Sequence, residues 1–346
     1  MPDARPVAIS QGDAAGIGPE IIAKIFAYHP EQARACLVFG DARVMAQAVQ
    51  SLPRAVQPKI EPINHVSQAL KLPSGVIPLC QVGNLDQPPP LGQVSAVSGR
   101  LAADCVSAAA HAALTGQVQA LVTAPMNKAA LAAAGEAFPG HTEMLQHLAA
   151  SHLGLCLDQL PVRMMLANRE LRTVLVSIHV SLRQAIEAVT FENVLMTLRI
   201  AHHCLRSPSG GPPKLAVAGL NPHAGEGGLM GREEIEILAP ALAQARALGM
   251  DVSGPFPPDT VFMRARESHG KAHAIDAVVA MYHDQGLIPV KYLGLNQGVN
   301  VTLGLPFVRT SPDHGTAYDI AGLGLAEPSS LLAALEMARA LTVQSY

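Results

Sequence analysis

Short apolar runs that stop at a polar or glycine-rich turn, each followed by apolar residues at helical spacing, recur along the chain. Val7 to Ser10 reads as a strand, QGDAAGIGPE (Gln11 to Glu20) as its turn and IIAKIFAYH as a helix, with Pro19 suited to a first helical position. Cys36 to Gly40 predicts a second strand with a helix from Asp41, and Ser98 to Leu114 predicts an Ala-rich helix before a strand at Ala120 to Thr123. Arg163 to Leu166, Arg172 to His179 and Leu215 to His223 read as further strands. Glu233 and Glu234 open a helix, and a last buried run ends in Tyr282, His283, Asp284 and Gln285. Strand, turn, helix is the grammar of an α/β fold. Other stretches are irregular: residues 57–92 are Pro-rich and read as an extended surface connection, Val252 to Asp259 as turns, and the Gly- and aliphatic-rich segment around Lys291 and Asn300 as short strands and turns.

At 346 residues the chain exceeds the size at which single cores stop growing, which implies two domains or one large α/β unit. With 24 Lys and Arg against 27 Asp and Glu the net charge is −3, so no basic field exists to hold nucleic acid, and Trp is absent. No apolar run reaches the ~20 positions of a membrane span. The start, MPDARPVAIS, lacks the apolar core of a signal peptide, and the protein reads as cytoplasmic. Five scattered cysteines without a CxxC pair read as small hydrophobes rather than a disulfide frame or zinc knot.

Candidate chemistry collects where the strands end. His179, His223 and His283 each terminate an apolar run, and parallel strands converge at their carboxyl ends. Three imidazoles with open positions would suit one catalytic zinc, cobalt, nickel or iron ion. Taken singly, each also reads as a hydrogen-bonded core histidine, and spacing does not decide between the two. Lys291, Asn300 and Arg309 supply two cations and an amide in a stretch otherwise poor in charge, a set that suits a bound anion. FPGHTE predicts a helix from Glu143 or Met144 with Thr142 as its cap and His141 beside it, a second anion seat. The first turn matches neither GxxxxGK[ST] nor GxGxxG.

GDAAGIGPE, TAPMNK, FPGHTEM, GLNPHAGEGG followed by MGREEI, GPFPPDT, AMYHDQGLIPVKY, GVNVTLGLPFVRTSPDHGTA and DIAG together resemble the 4-hydroxythreonine-4-phosphate dehydrogenases of pyridoxal phosphate biosynthesis and their paralogues. The likeness runs from about Val7 to the carboxyl end and is weakest over residues 50–95. It implies a homodimer with a fold similar to isocitrate and isopropylmalate dehydrogenases, two α/β/α domains with a cleft between them. Residues 1–136 and 305–346 would form the first, and 137–304 the second, carrying the metal ligands and the dimer interface. The metal ligands would be His179, His223 and His283, one crossing the interface, around zinc, magnesium or cobalt. Substrate contacts would be His141, Thr142, Lys291, Asn300 and Arg309, catalytic roles would fall to His223, Asp259 and Lys291, and NAD or NADP would lie against Thr310, Asp313, His314 and Asp319.

The reaction so implied is oxidation of 4-phosphooxy-L-threonine and decarboxylation to 3-amino-2-oxopropyl phosphate, on the way to pyridoxine 5'-phosphate. Two positions depart from the pattern. Ala14 replaces a usual Pro, and Leu229 stands where a His often follows GEGG. Paralogues acting on threonate or erythronate 4-phosphate are the nearest alternative. A metal-dependent phosphatase or aldolase, or a non-catalytic anion binder, lies further off.

Overall fold

Val7, Ala8 and Ile9 are wholly buried, which is why β1 (Val7–Ser10) is a continuous apolar run rather than an alternating one: parallel strands are covered on both faces. On either side of it lie β2 (Cys36–Gly40) and β5 (Ala120–Thr123), both parallel to it. The computed structural model describes residues 5–207, 211–271, 273–294 and 297–343. The chain divides into two units, one ending at Pro161 and resuming at Leu305, the other running from Val162 to Gly304.

In the first unit β4 (Val76–Gln81) lies beyond β2, β3 (Lys59–Pro62) forms the edge, and β12 (Val308–Pro312) pairs with β5, all parallel, in the order β3-β4-β2-β1-β5-β12. The crossovers are α1 (Gly18–Tyr28), α2 (Ala42–Gln50), α3 (Ala96–Leu114), α4 (Lys128–Ala133) and α5 (His141–Leu153), with α11 (Ser329–Val343) last. Asp41 caps α2, its Oδ1 accepting from the Arg43 and Val44 amides at 2.9 and 3.3 Å. The Pro-rich stretch expected to be irregular supplies β3 and β4. Ile77 and Leu79 bury completely there, while Pro62 ends an edge strand, where a missing N–H is tolerated. The first boundary falls at residue 161 instead of 136, because α5 packs on α3 and Gln146 Nε2 holds the Leu160 and Leu157 carbonyls at 2.9 and 3.3 Å.

The second unit orders its strands β11 (Val299–Leu303), β6 (Arg163–Ala167), β7 (Arg172–Leu175), β10 (Ala277–Ala280), β8 (Lys214–Ala218) and β9 (Asp251–Phe256). β6 is antiparallel to both β11 and β7, whereas β7, β10, β8 and β9 are parallel. Helices α6 (Leu182–Glu187), α7 (Phe191–Cys204), α8 (Ala239–Ala247), α9 (Val261–Ser268) and α10 (His283–Tyr292) connect them. Leu166, Leu175, Ala216, Val261, Val278 and Leu287 belong to its core. The turn-rich Val252–Asp259 proves to hold edge strand β9, its register shifted between Ala216 and Ala218. The stretch expected as short strands and turns opens with α10, which runs through Pro289.

Gly99 lets α3 lie against α4: a Cβ there would stand 1.9 Å from the Ala130 carbonyl oxygen, whereas one at Gly211 meets nothing within 4 Å. Gly99→Ala is therefore expected to lower unfolding free energy by about 1–3 kcal/mol in a denaturant titration, and Gly211→Ala by less than about 0.5 kcal/mol. Equal effects would show that the helices do not meet there.

Candidate active site

β7, β10 and β8 are parallel neighbours, so the residues that follow them share one edge. His283 is the first residue of α10. His179 lies beyond β7, which stops at Leu175 instead of running on to it; the Val176 and Ser177 amides still donate to the Ala280 and Met281 carbonyls at 2.9 and 3.3 Å. The His179 and His283 ring centres come within 5.5 Å at an interplanar angle of 49°. A metal–nitrogen bond of about 2.1 Å puts two imidazole centres sharing one ion roughly 5 Å apart, so this pair fits a common divalent ion. Asp284 Oδ1 lies 2.7 Å from His283 Nδ1, the kind of carboxylate partner that orients a ligating histidine.

His223 stands apart from that pair. It lines a cavity of about 690 Å³ with Asp259, Tyr282, Asp284 and Gln285, whereas His179 and His283 line another of about 260 Å³ that also includes Tyr282 and Asp284. Among the described residues no group of three His, Cys, Asp or Glu side chains is placed to hold a metal ion. One chain thus assembles two of the three expected ligands.

The displacement of His223 has a local cause. Residues 223–227 all have positive φ, with His223 at 52°, Ala224 at 54° and Glu226 at 44°, so the chain makes a left-handed turn. That turn wraps the Glu234 carboxylate, whose Oε1 accepts from the Leu220 and Asn221 amides, both at 2.8 Å. Asn221 Nδ2 donates to Glu234 Oε2 at 2.9 Å and to Glu233 Oε2 at 2.7 Å. A Cβ on Gly225 would stand 2.7 Å from Glu234 Oε2, so glycine is required there for space as well as for φ. Glu234 opens a π-helical turn rather than a regular helix.

Lys291 lies in the last turn of α10, and Asn300 is half-buried on β11 opposite Leu166. Asp259 is exposed just ahead of α9.

In the first unit α5 begins at His141, two or three residues earlier than expected, with extended Gly140 as its cap, so Thr142 sits in the first turn and caps nothing. Arg309 on β12 is 3 % exposed, and its Nη2 and Nε donate to Thr123 Oγ1 at 2.7 and 3.2 Å. His141 Nε2 is buried without a hydrogen-bond partner. Burial, and then the charge of Arg309, hold the His141 imidazole well below its usual range, while burial draws Arg309 down to about 10 against the opposing effect of Glu143. Arg309 stays charged at neutral pH and His141 stays neutral, an arrangement that favours an anion without a second cation. Thr123 had no signal in the sequence beyond its place at a strand end.

Of the expected cofactor residues, Thr310 is wholly buried and its hydroxyl donates to the Ala334 carbonyl of α11 at 2.8 Å. The Asp313 amide bonds Ser330 Oγ at 3.3 Å. His314 and Asp319 are exposed. Their segment is fastened from beneath by the first turn. Tyr318 donates to Asp13 Oδ2 at 2.6 Å, the Ile17 amide to the Thr316 carbonyl at 3.0 Å, and Lys24 Nζ to the Gly324 and Ala326 carbonyls at 2.9 and 2.6 Å.

Because the folded His141 binds its proton less readily than the unfolded chain, its contribution is intact above about pH 6.5 and is lost as pH falls below that value. His141→Asn is therefore expected to flatten the fall in stability between pH 6.5 and 5, followed by denaturant midpoints in phosphate-free buffer. An unchanged slope would mean that His141 titrates normally.

The model of the pyridoxal phosphate biosynthetic protein PdxA matches residues 32–338. The chain is 52 % identical over 340 residues to 4-hydroxythreonine-4-phosphate dehydrogenase of Beijerinckia indica, covering 98 % of this chain and 96 % of that one. It is 43 % identical over 346 residues to D-threonate 4-phosphate dehydrogenase of Salmonella typhimurium, covering 98 % and 99 %. The crystal structure of 4-hydroxythreonine-4-phosphate dehydrogenase from Klebsiella pneumoniae superposes with a TM-score of 0.86 at 41 % identity over 99 % of each chain. The chain belongs to the PdxA family.

Proposed function

We propose that the protein is an oxidoreductase acting on the CH–OH group of 4-phosphooxy-L-threonine, with NAD or NADP as acceptor, and that decarboxylation to 3-amino-2-oxopropyl phosphate follows in pyridoxine 5'-phosphate biosynthesis. The observation that carries this reading is the His179–His283 pair at 5.5 Å, set at the ends of parallel strands in a chain similar over its whole length to dehydrogenases of phosphorylated hydroxy acids. His179 and His283, with His223 from a second copy of the chain, would hold zinc, magnesium or cobalt, which supplies Lewis-acid polarisation of the substrate hydroxyl. His314 and Asp319, both exposed, would help hold NAD or NADP, which would supply the hydride acceptor.

The remaining roles fall to side chains. Arg309, fixed by Thr123, holds an anionic group of the substrate by charge-assisted donors, and neutral His141 offers Nε2 as an acceptor to a substrate hydroxyl. Thr142 adds a hydroxyl, and Lys291 and Asn300 add a cation and an amide for orientation. Asp259, on the wall of the His223 cavity, is the carboxylate available to take the hydroxyl proton at its Oδ atoms. No helix among the described residues is long and apolar enough to cross a membrane, and we place the enzyme in the cytoplasm. D-threonate 4-phosphate is the second candidate substrate: Leu229, 84 % exposed, replaces a polar side chain beside the His223 turn.

Purified protein is expected to reduce NAD with 4-phosphooxy-L-threonine at a kcat/KM at least tenfold above that with threonate or erythronate 4-phosphate, and a chelator should abolish the reaction. A preference for either sugar acid would replace the substrate, turnover surviving chelation would remove the metal, and turnover without nicotinamide would remove the dehydrogenase. Because His179 and His283 pair within one chain, mixing His223→Ala with His283→Ala subunits should recover about a quarter of wild-type activity, one complete site in each mixed dimer. A His179→Ala and His283→Ala mixture should recover none. Recovery in the second mixture alone would place the crossing ligand elsewhere.

A further inference from the structure

Regular pairing of β10 ends at Ala280 on the β7 side and at Val279 on the β8 side, short of all three histidines. Beyond that point backbone bonds persist on the β7 side as far as the Ser177 amide, which donates to the Met281 carbonyl at 3.3 Å, and two side chains add to them. Gln285 Oε1 accepts from the Met281 amide at 2.7 Å, and its Nε2 donates to the Gly219 carbonyl at 2.8 Å. One carboxamide therefore joins the residue after β10 to the residue after β8. Ser177, itself 8 % exposed, donates from its hydroxyl to the Met281 carbonyl at 3.0 Å. Met281 is thus gripped at both its backbone groups, its N–H by Gln285 of α10, which also holds Gly219 beyond β8, and its carbonyl by Ser177 beyond β7. Each of the three joined segments carries a histidine within a few residues: Ser177 precedes His179, Met281 precedes His283 and Gly219 precedes His223.

We propose that Gln285 and Ser177 are positioning residues that fix these three strand-end segments relative to one another and thereby set the protein's affinity for its divalent ion. The inference rests on the metal reading given above. Only a carboxamide meets both demands at position 285: a carboxylate accepts from Met281 but offers Gly219 no proton, and a thioether of similar size does neither. The Gly219 amide is engaged by the Phe256 carbonyl at 2.8 Å, so this residue is tied to β9 by its N–H and to Gln285 by its carbonyl. Loss of groups that orient metal ligands from behind typically weakens binding by about 10–100-fold.

The test is calorimetric titration of Co²⁺ alone into the metal-stripped full-length protein, with amide hydrogen exchange of Met281 followed in parallel. Gln285→Met and Gln285→Glu are each expected to weaken Co²⁺ about 10–100-fold, with Met281 exchange speeded in Gln285→Met and still protected in Gln285→Glu, which keeps the acceptor, and Ser177→Ala is expected to weaken binding less. A carboxylate near a cation would tighten binding if only charge mattered, so tighter binding by Gln285→Glu overturns the proposal. Faster Met281 exchange with wild-type affinity in Gln285→Met also overturns it, because the clamp would then exist without serving the ligands. Should Gln285→Met not fold, Ser177→Ala is compared with Ser177→Thr, which keeps the hydroxyl. Affinity retained by Thr and lost by Ala supports the role, and equal affinities refute it. Wild-type protein binding Co²⁺ no better than His283→Ala would defeat the metal reading itself, and this inference with it.

Discussion

The parallel ladder through β7, β10 and β8 is the constraint on which the second unit's chemistry depends. Parallel strands all leave a sheet by the same edge, so whatever follows Leu175, Ala280 and Ala218 is delivered to one place without further instruction. What the ladder does not settle is how far each exit segment travels. His179 and His283 follow their strands by short paths and meet at 5.5 Å. The path to His223 passes through a left-handed turn and delivers its imidazole to a neighbouring cavity instead. The same edge therefore makes two of the histidines adjacent within a chain and leaves the third exposed on a neighbouring cavity.

That turn is stable only because of what it encloses. Three non-glycine residues at positive φ cost on the order of 3–6 kcal/mol together. The Glu234 carboxylate receives three hydrogen bonds from Leu220 and Asn221 at 2.8–2.9 Å, and charge-assisted bonds at roughly 1.5–3 kcal/mol each offset a strain of that size. Glu234 is nearly inaccessible to water, so without the Leu220 and Asn221 amides that lead into the turn it would be a buried charge with few partners. Strain in the turn and burial of the acid compensate each other, which gives MGREEI a structural reason to follow GEGG so closely.

Legibility in the sequence tracked burial. β1, β2, β5 and β10 are covered on both faces and could be read as unbroken apolar runs, and each of the three histidines was visible as the polar residue that ends such a run. β3, β4 and β9 were hidden by Pro62, Pro78 and Pro255: β3 and β9 lie at sheet edges, where proline is permitted, whereas β4 is an interior strand that carries Pro78 between the buried Ile77 and Leu79. α10 lies where glycine and aliphatic content suggests short strands and turns, and Gly286 falls within it. Its glycine serves packing instead: a Cβ there would meet Leu175 Cδ2 at 2.5 Å. Thr123 and Thr310 carry no periodic signature, so neither the bond from Arg309 to the first nor the bond from the second to the Ala334 carbonyl could be read from the chain.

The first motif shows the same limit from the other side. GDAAGIGPE is a glycine-rich turn between strand and helix that matches no phosphate-binding pattern, and its acidic residues point inward. Asp13 is wholly buried and accepts from Tyr318 and from the Ala15 amide at 2.6 and 2.9 Å, with burial pushing its carboxyl above the usual range. Glu20 accepts from the Ala326 amide at 3.1 Å and pairs with Lys24 at 2.9 Å, and Lys24 in turn holds two carbonyls of the same segment. Buried polar groups joined in this way stabilise one arrangement strongly, because removing any member strands its partners in a medium that cannot solvate them. The anionic atoms face the chain and not a ligand, so the motif's work is to keep the stretch bearing His314 and Asp319 in a single conformation. A glycine-rich turn that would invite phosphate in other folds here closes over carboxylates that would repel it.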